Sequence, residues 1–199
     1  WLGEVTFTLV LKQLGIALIA HFAIIGLYGM EQYKRLAFPL CMLLLVIPIW
    51  GALQPVLRDV SIWVSYNFIL ELGLPILRRS YLLTMPGGTF HVELACSGLN
   101  FFLVSSVLGA LHSKLNNFSL RATLLFVFIS LVFSIVANWI RIIAIVLIGN
   151  ATDMQHFIVQ DHLTFGWVVY AVMLIPFYVV AGRFSKACEK ERTEPVNHI

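Results

Sequence analysis

Read for hydrophobic pattern, the chain is a succession of long apolar stretches broken by short polar interruptions. Val5 to Gly29, Leu36 to Leu53, Leu120 to Ile148 and Leu163 to Gly182 are each long enough to cross a bilayer as a helix. About 30 Å of hydrocarbon at 1.5 Å per residue needs roughly 20 residues. A fifth stretch, Ala95 to Leu111, is shorter but carries no charge. Gln54 to Leu77 reads differently. There Arg58, Asp59, Asn67 and Glu71 interrupt Val56, Leu57, Trp63, Phe68 and Ile69, the pattern of an amphipathic helix lying in the membrane interface. The expected fold class is all-α: a polytopic transmembrane helix bundle with one interfacial amphipathic helix. It forms a single domain over residues 1–182, with a basic cytoplasmic tail over 183–199.

Composition agrees with this pattern. Hydrophobic residues make up 60% of the chain and charged residues 12%, too few charges to cover a water-facing surface. A soluble enzyme, a disordered chain and a nucleic-acid module are excluded. Most of the 13 basic residues collect at span ends, Lys34 and Arg35, then Lys114 and Arg121, then Arg183, Lys186, Lys190 and Arg192, with Arg58, Arg78 and Arg79 as exceptions on the opposite side. The three groups share one side, the cytoplasmic one, if Gln54 to Leu77 does not cross. Because the chain starts at Trp1, an amino-terminal truncation is expected.

Helix lengths measured from these basic flanks locate the polar residues on the other side. Lys114 back to Cys96 is about 27 Å, Arg121 forward to Arg141 about 30 Å, and Arg183 back to His162 about 31 Å. A thiol, a guanidinium and an imidazole on three helices therefore reach the same extracytoplasmic rim. Cys96 is expected in the first turn of its helix, where free N–H groups favour a thiolate. The plainer role is that of a small packing residue in a stripe with Gly98, Ser105 and Gly109. Arg141 is the only charge between Arg121 and Asp153. It is either functional or a rim arginine that snorkels, and Asn138, three residues earlier, is placed to orient it. His162 suits proton transfer, with Asp161 raising its basicity. His21, His91, His112 and His156 read as ordinary interfacial histidines, and Cys41 and Cys188 as ordinary cysteines.

Together the three residues supply a nucleophile, a base and a cation able to stabilise a thiolate or an oxyanion. Ser97, Gly98, Asn138 and Asp161 are their supporting or oxyanion candidates. The sequence holds no H-E-x-x-H, no G-x-S-x-G and no C-x-x-C pair, so no metal site and no cofactor is expected. A different class of function also fits these residues. A small membrane transporter or lipid-binding module would use Arg141 and His162 without a nucleophile.

Five short motifs, in order, resemble the exosortase and archaeosortase family of membrane cysteine transpeptidase-like enzymes. They are Ala37-Phe38-Pro39 with Ile47-Pro48, Pro86-Gly87-Gly88-Thr89-Phe90, Ala95-Cys96-Ser97-Gly98-Leu99, Asn138-x-x-Arg141-Ile142 and His162-x-x-x-Gly166-Trp167. Asn100 departs from the pattern, since many members carry a basic residue there. The resemblance implies a multi-pass protein of the bacterial inner membrane whose active site faces outward and whose catalytic residues are Cys96, Arg141 and His162. Its implied partners are exported proteins ending in a Pro-Glu-Pro motif, a transmembrane helix and a basic end. Membrane lipid and an acceptor amine complete the set, with a link to exopolysaccharide and biofilm systems and no nucleic acid. Arg78, Arg79 and Glu93 are the substrate-binding candidates, beside a lateral entrance formed by Gln54 to Leu77 and Pro86 to Glu93.

Overall fold

The computed structural model describes residues 2–43, 45 and 47–193. Residues 194–199, the end of the expected tail, lie outside it. The chain divides into two compact units, one ending at Ala52 and the other starting at Leu53.

The first unit is dominated by α1, Leu2–Leu43, which breaks at Gly29, where the backbone leaves helical geometry at φ 78° and ψ 170°. The first expected span and the start of the second, residues 36–43, thus share one interrupted helix, while the end of the second, Pro48–Leu53, is a 3-10 turn. Lys34 and Arg35 do not end the first helix, because neither forbids helical geometry and only a glycine marks the joint. Apolar side chains such as Ile16, Ile19, Phe22 and Leu27 point outward over most of α1, as lipid contact requires.

The second unit packs α3 (Leu99–Leu115), α4 (Leu120–Ala151) and α6 (His162–Thr193) around a common core, with α4 central and the single-turn α5 (Phe157–Gln160) between α4 and α6. Short connections make neighbours antiparallel. Ser119 caps α4 by accepting the Ala122 N–H at 3.3 Å. Consequently the start of α3, the end of α4 and the start of α6 lie at one end of the bundle. The last helix runs to Thr193, so residues 183–193 of the expected tail are helical. Three helices of the described residues, Val10–Leu43, Leu120–Ala151 and His162–Lys190, are long and apolar enough to cross a membrane. The chain is a membrane protein.

The amphipathic helix, α2, spans Gln54–Glu71. It buries Arg58, Ser61, Ile62, Ser65 and Ile69 on one face and leaves Val56, Trp63 and Phe68 outside. Arg58, Ser61 and Ser65 therefore turn toward protein, while Asp59 and Glu71 stay exposed. Leu57, Val60 and Ser61 share a groove with Val132, Ile135 and Val136 of α4, while Ile62 and Ile69 join a cluster with Ile142, Ile145 and Val146. That pairing lays α2 along α4.

The stretch after α2 is a sheet that the helix-period reading did not predict. β1 (Leu77–Arg79), β2 (Leu82–Met85) and β3 (Gly88–His91) form an antiparallel meander in the order β1-β2-β3. Alternation in β2 and β3 buries Leu83, Met85 and Phe90 against α2 and α4. Asn150 clips the β2–β3 turn to the end of α4, its Oδ1 accepting the Gly87 N–H at 3.0 Å. The sheet thus closes one end of the bundle.

Candidate active site

Cys96 lies in a 3-10 turn, Leu94–Ser97, between β3 and α3. This corrects the expectation that it occupies the first turn of the helix. Gly98 intervenes with φ 84°, a left-handed conformation that glycine adopts without the strain a Cβ imposes. A side chain there would also collide with Asn138, 2.7 Å from a built Cβ. The turn is held by the Cys96 N–H, which donates to the Glu93 carbonyl at 2.9 Å, and by Ser97 Oγ, which accepts the Leu99 N–H at 3.4 Å.

Arg141 comes from the middle of the packed face of α4. Its Nη2 lies 3.6 Å from Cys96 Sγ, and the two residues are 2% and 0% exposed. Desolvation works against a thiolate at this place, and the adjacent guanidinium works for it. Burial on this scale excludes the snorkelling alternative. α6 leaves room for the arginine at Gly166, where a Cβ would stand 2.6 Å from Arg141 Nε. The guanidinium carbon is 5.8 Å from the centre of the Phe101 ring.

Asn138 acts on a different partner from the one expected. Rather than orienting Arg141, its Nδ2 donates to the Cys96 carbonyl at 3.0 Å and to Ser61 Oγ at 3.1 Å. It thereby joins the cysteine turn, α4 and α2. Its position one helical turn from Arg141 was legible, but the partner across the interface was not.

His162 begins α6, one turn from Gly166 on the same face. Its ring meets Phe90 edge-on at 5.9 Å, and Phe90 belongs to the cluster that surrounds Cys96. Nε2 is buried without a hydrogen-bond partner, and among the described residues no hydrogen bond joins it to Cys96. Arg141 Nε and Asn138 Oδ1 are likewise buried and unpaired. Asp161 does not support the imidazole through a hydrogen bond. Its Oδ1 accepts the Thr164 N–H at 3.2 Å, which caps α6.

Two openings reach this cluster. A cavity of about 30 Å³ lies between Arg141, Asn100, Leu163 and Trp167. A larger groove of about 320 Å³ runs between α2 and α4 and touches Ser97 and Gly98. Of the substrate-binding candidates, Arg78 and Arg79 are exposed on the edge strand β1, and the Glu93 side chain is exposed while its carbonyl holds the cysteine turn. Sequence reasoning missed Ser61, because a lone serine in an amphipathic helix carries no signal of its own.

The description "transmembrane exosortase" comes from a family whose profile matches residues 1–179 of the 199-residue chain. The chain belongs to the transmembrane exosortase family. No curated protein and no solved structure matches it. Membership makes this exosortase a membrane protein-sorting enzyme, and the family is one of membrane cysteine peptidases and transpeptidases.

Proposed function

We propose that this exosortase cleaves a carboxy-terminal sorting signal of exported proteins through a thioester on Cys96, at the extracytoplasmic face of a bacterial inner membrane. The observation that carries the reading is the buried contact of 3.6 Å between Arg141 Nη2 and Cys96 Sγ. A guanidinium beside a sulfur stabilises the thiolate before attack and an oxyanion after it. Unpaired Arg141 Nε and His162 Nε2 are then groups kept for substrate.

In this reading Cys96 Sγ attacks the carbonyl carbon of the scissile peptide bond, and negative charge moves to the carbonyl oxygen beside Arg141. Collapse of that intermediate breaks the C–N bond. His162, holding the proton given up by the Cys96 thiol, delivers it to the departing amine, and the thioester remains on Cys96. An acceptor amine next attacks the thioester, loses its proton to His162, and returns Cys96 as the leaving thiolate. The signal carries a Pro-Glu-Pro motif ahead of an apolar helix and a basic end, and the released proteins serve an exopolysaccharide or biofilm system. The apolar groove between α2 and α4 supports lateral access for such a helix, since it opens beside the cysteine turn.

Cys96→Ala tests this directly in cells that make a tagged substrate. Loss of processing is expected, with the native protein forming a substrate adduct that hydroxylamine releases. Unreduced processing by the alanine variant ends the thioester reading and favours a transport or binding role for Arg141 and His162.

A further inference from the structure

Arg58 is a buried cation with no anion. It lies in the second turn of α2, is 9% exposed, and holds its guanidinium carbon 3.4 Å from the centre of the Tyr81 ring. Its Nε is buried without a hydrogen-bond partner, and among the described residues no ion pair reaches it. Tyr81 covers the face of the guanidinium, which offsets part of the desolvation. An aromatic face does not answer the in-plane Nε–H, which belongs to the fork that matches a carboxylate. A buried charge with its partner missing is costly, so a position that keeps one is a position where a partner arrives.

Location decides which partner. Ser61, one turn further along the same face of α2, accepts a hydrogen bond from Asn138, whose amide also holds the Cys96 carbonyl. Tyr81 sits in the β1–β2 turn, and its carbonyl accepts the Val92 N–H just ahead of the cysteine turn. Arg58 is therefore about one helical turn, roughly 5 Å along α2, from the group tied to Cys96. A peptide that reaches Cys96 passes within side-chain reach of it. Arg78 and Arg79, expected to take this role, are exposed to solvent on β1, where a cation discriminates weakly.

We infer that Arg58, clamped under Tyr81, is the specificity residue that binds a carboxylate side chain of the substrate peptide. This rests on the reading of the protein as a processor of sorting signals, but the test does not need Cys96 chemistry. The full chain carrying Cys96→Ala is placed in nanodiscs of neutral lipid. Binding is measured for a synthetic peptide with a Pro-Glu-Pro motif, an apolar helix and a basic end, and for its twin with glutamine in place of glutamate.

The glutamate peptide is expected to bind roughly 10- to 100-fold more tightly. With Arg58→Gln added, the two peptides bind alike, and Arg58→Lys gives an intermediate preference. Equal binding of the two peptides to the protein that keeps Arg58, or no binding of either, overturns the inference, and that arm needs no change at Arg58. A glutamate preference that survives Arg58→Gln overturns it as well. So does an Arg58 effect that follows phosphatidylglycerol in the discs and not the peptide charge, which assigns the site to lipid phosphate. Failure of the thioester reading shows separately, as processing that survives the loss of Cys96.

Discussion

The two ends of the bundle treat buried polar groups in opposite ways. Away from the site, Ser105, His112, Ser113, Ser130 and Tyr170 are answered from within. Ser105 Oγ and Tyr170 Oη lie 2.7 Å apart across α3 and α6, His112 Nε2 meets Ser185 Oγ at 2.9 Å, and Ser113 and Ser130 donate to carbonyls one turn back. Phe118, Phe126, Phe177 and Phe184 pack edge and tilt against one another around them. At the other end, Arg141 Nε, His162 Nε2, Asn138 Oδ1 and Arg58 Nε are buried and unanswered, as are Ser65 Oγ on α2 and Trp139 Nε1 on α4. Satisfied polar groups fasten helices together in lipid, where a hydrogen bond replaces an unpaired group. Unsatisfied ones cost stability and persist where a ligand completes them.

The sharpest way to break the contrast is to keep the charge at the site and remove its shape. Arg141→Lys retains a cation beside Cys96 but loses the planar fork. Processing is expected to fall by about 10²- to 10³-fold, the range for an oxyanion-stabilising donor. A lysine variant with the native rate, measured on a tagged substrate, reduces Arg141 to an electrostatic neighbour.

A smaller effect is expected from displacing the same side chain without changing it. Gly166→Ala puts a methyl within 2.6 Å of Arg141 Nε, so the guanidinium has to move relative to Cys96 Sγ. Misplacement of about 1 Å costs on the order of 10²-fold in rate at most. Activity is expected to drop roughly tenfold while the protein remains folded in the membrane. Full activity with alanine would mean that Arg141 has another place to sit and that the close approach of α6 is packing alone.

The smallest effect belongs to a satisfied pair. Tyr170→Phe removes the hydroxyl facing Ser105 and leaves the stacked contact with Phe101, whose ring centre is 4.8 Å away. Stability should fall by about 1 kcal/mol, read from unfolding in detergent, with processing within about twofold of native. A large loss of processing without a loss of stability would carry the functional network down to Tyr170 and erase the distinction between the two ends.

Much of this arrangement was legible along the chain. Uninterrupted apolar length marked α3, α4 and α6, since a membrane imposes a minimum span that few other contexts require. Rise per residue put Cys96 and Arg141, which meet in the structure, at one level, because a straight helix converts sequence separation into depth. The sheet was not legible: its strands are three or four residues long, too short for alternation to stand out beside apolar helices. The break at Gly29 coincides with the end of the first apolar stretch, but the immediate return to helix through Leu43 was not legible, because Met30 to Arg35 reads equally well as a polar loop.

What the sequence determined by itself is therefore one-dimensional: which segments are helical and apolar, how long they are, and how far along each one its polar residues fall. Rotation about the helix axis was left to tertiary structure. Packing turned Arg58 inward under Tyr81, although the amphipathic pattern had assigned its neighbours Val56 and Trp63 to the membrane without a place for it. Packing also turned Asn138 toward Ser61 and the Cys96 carbonyl instead of toward Arg141, on its own helix. Such choices depend on partners distant in the chain, 77 residues away for Ser61 and 42 for Cys96, and helical periodicity contains no information about what stands opposite.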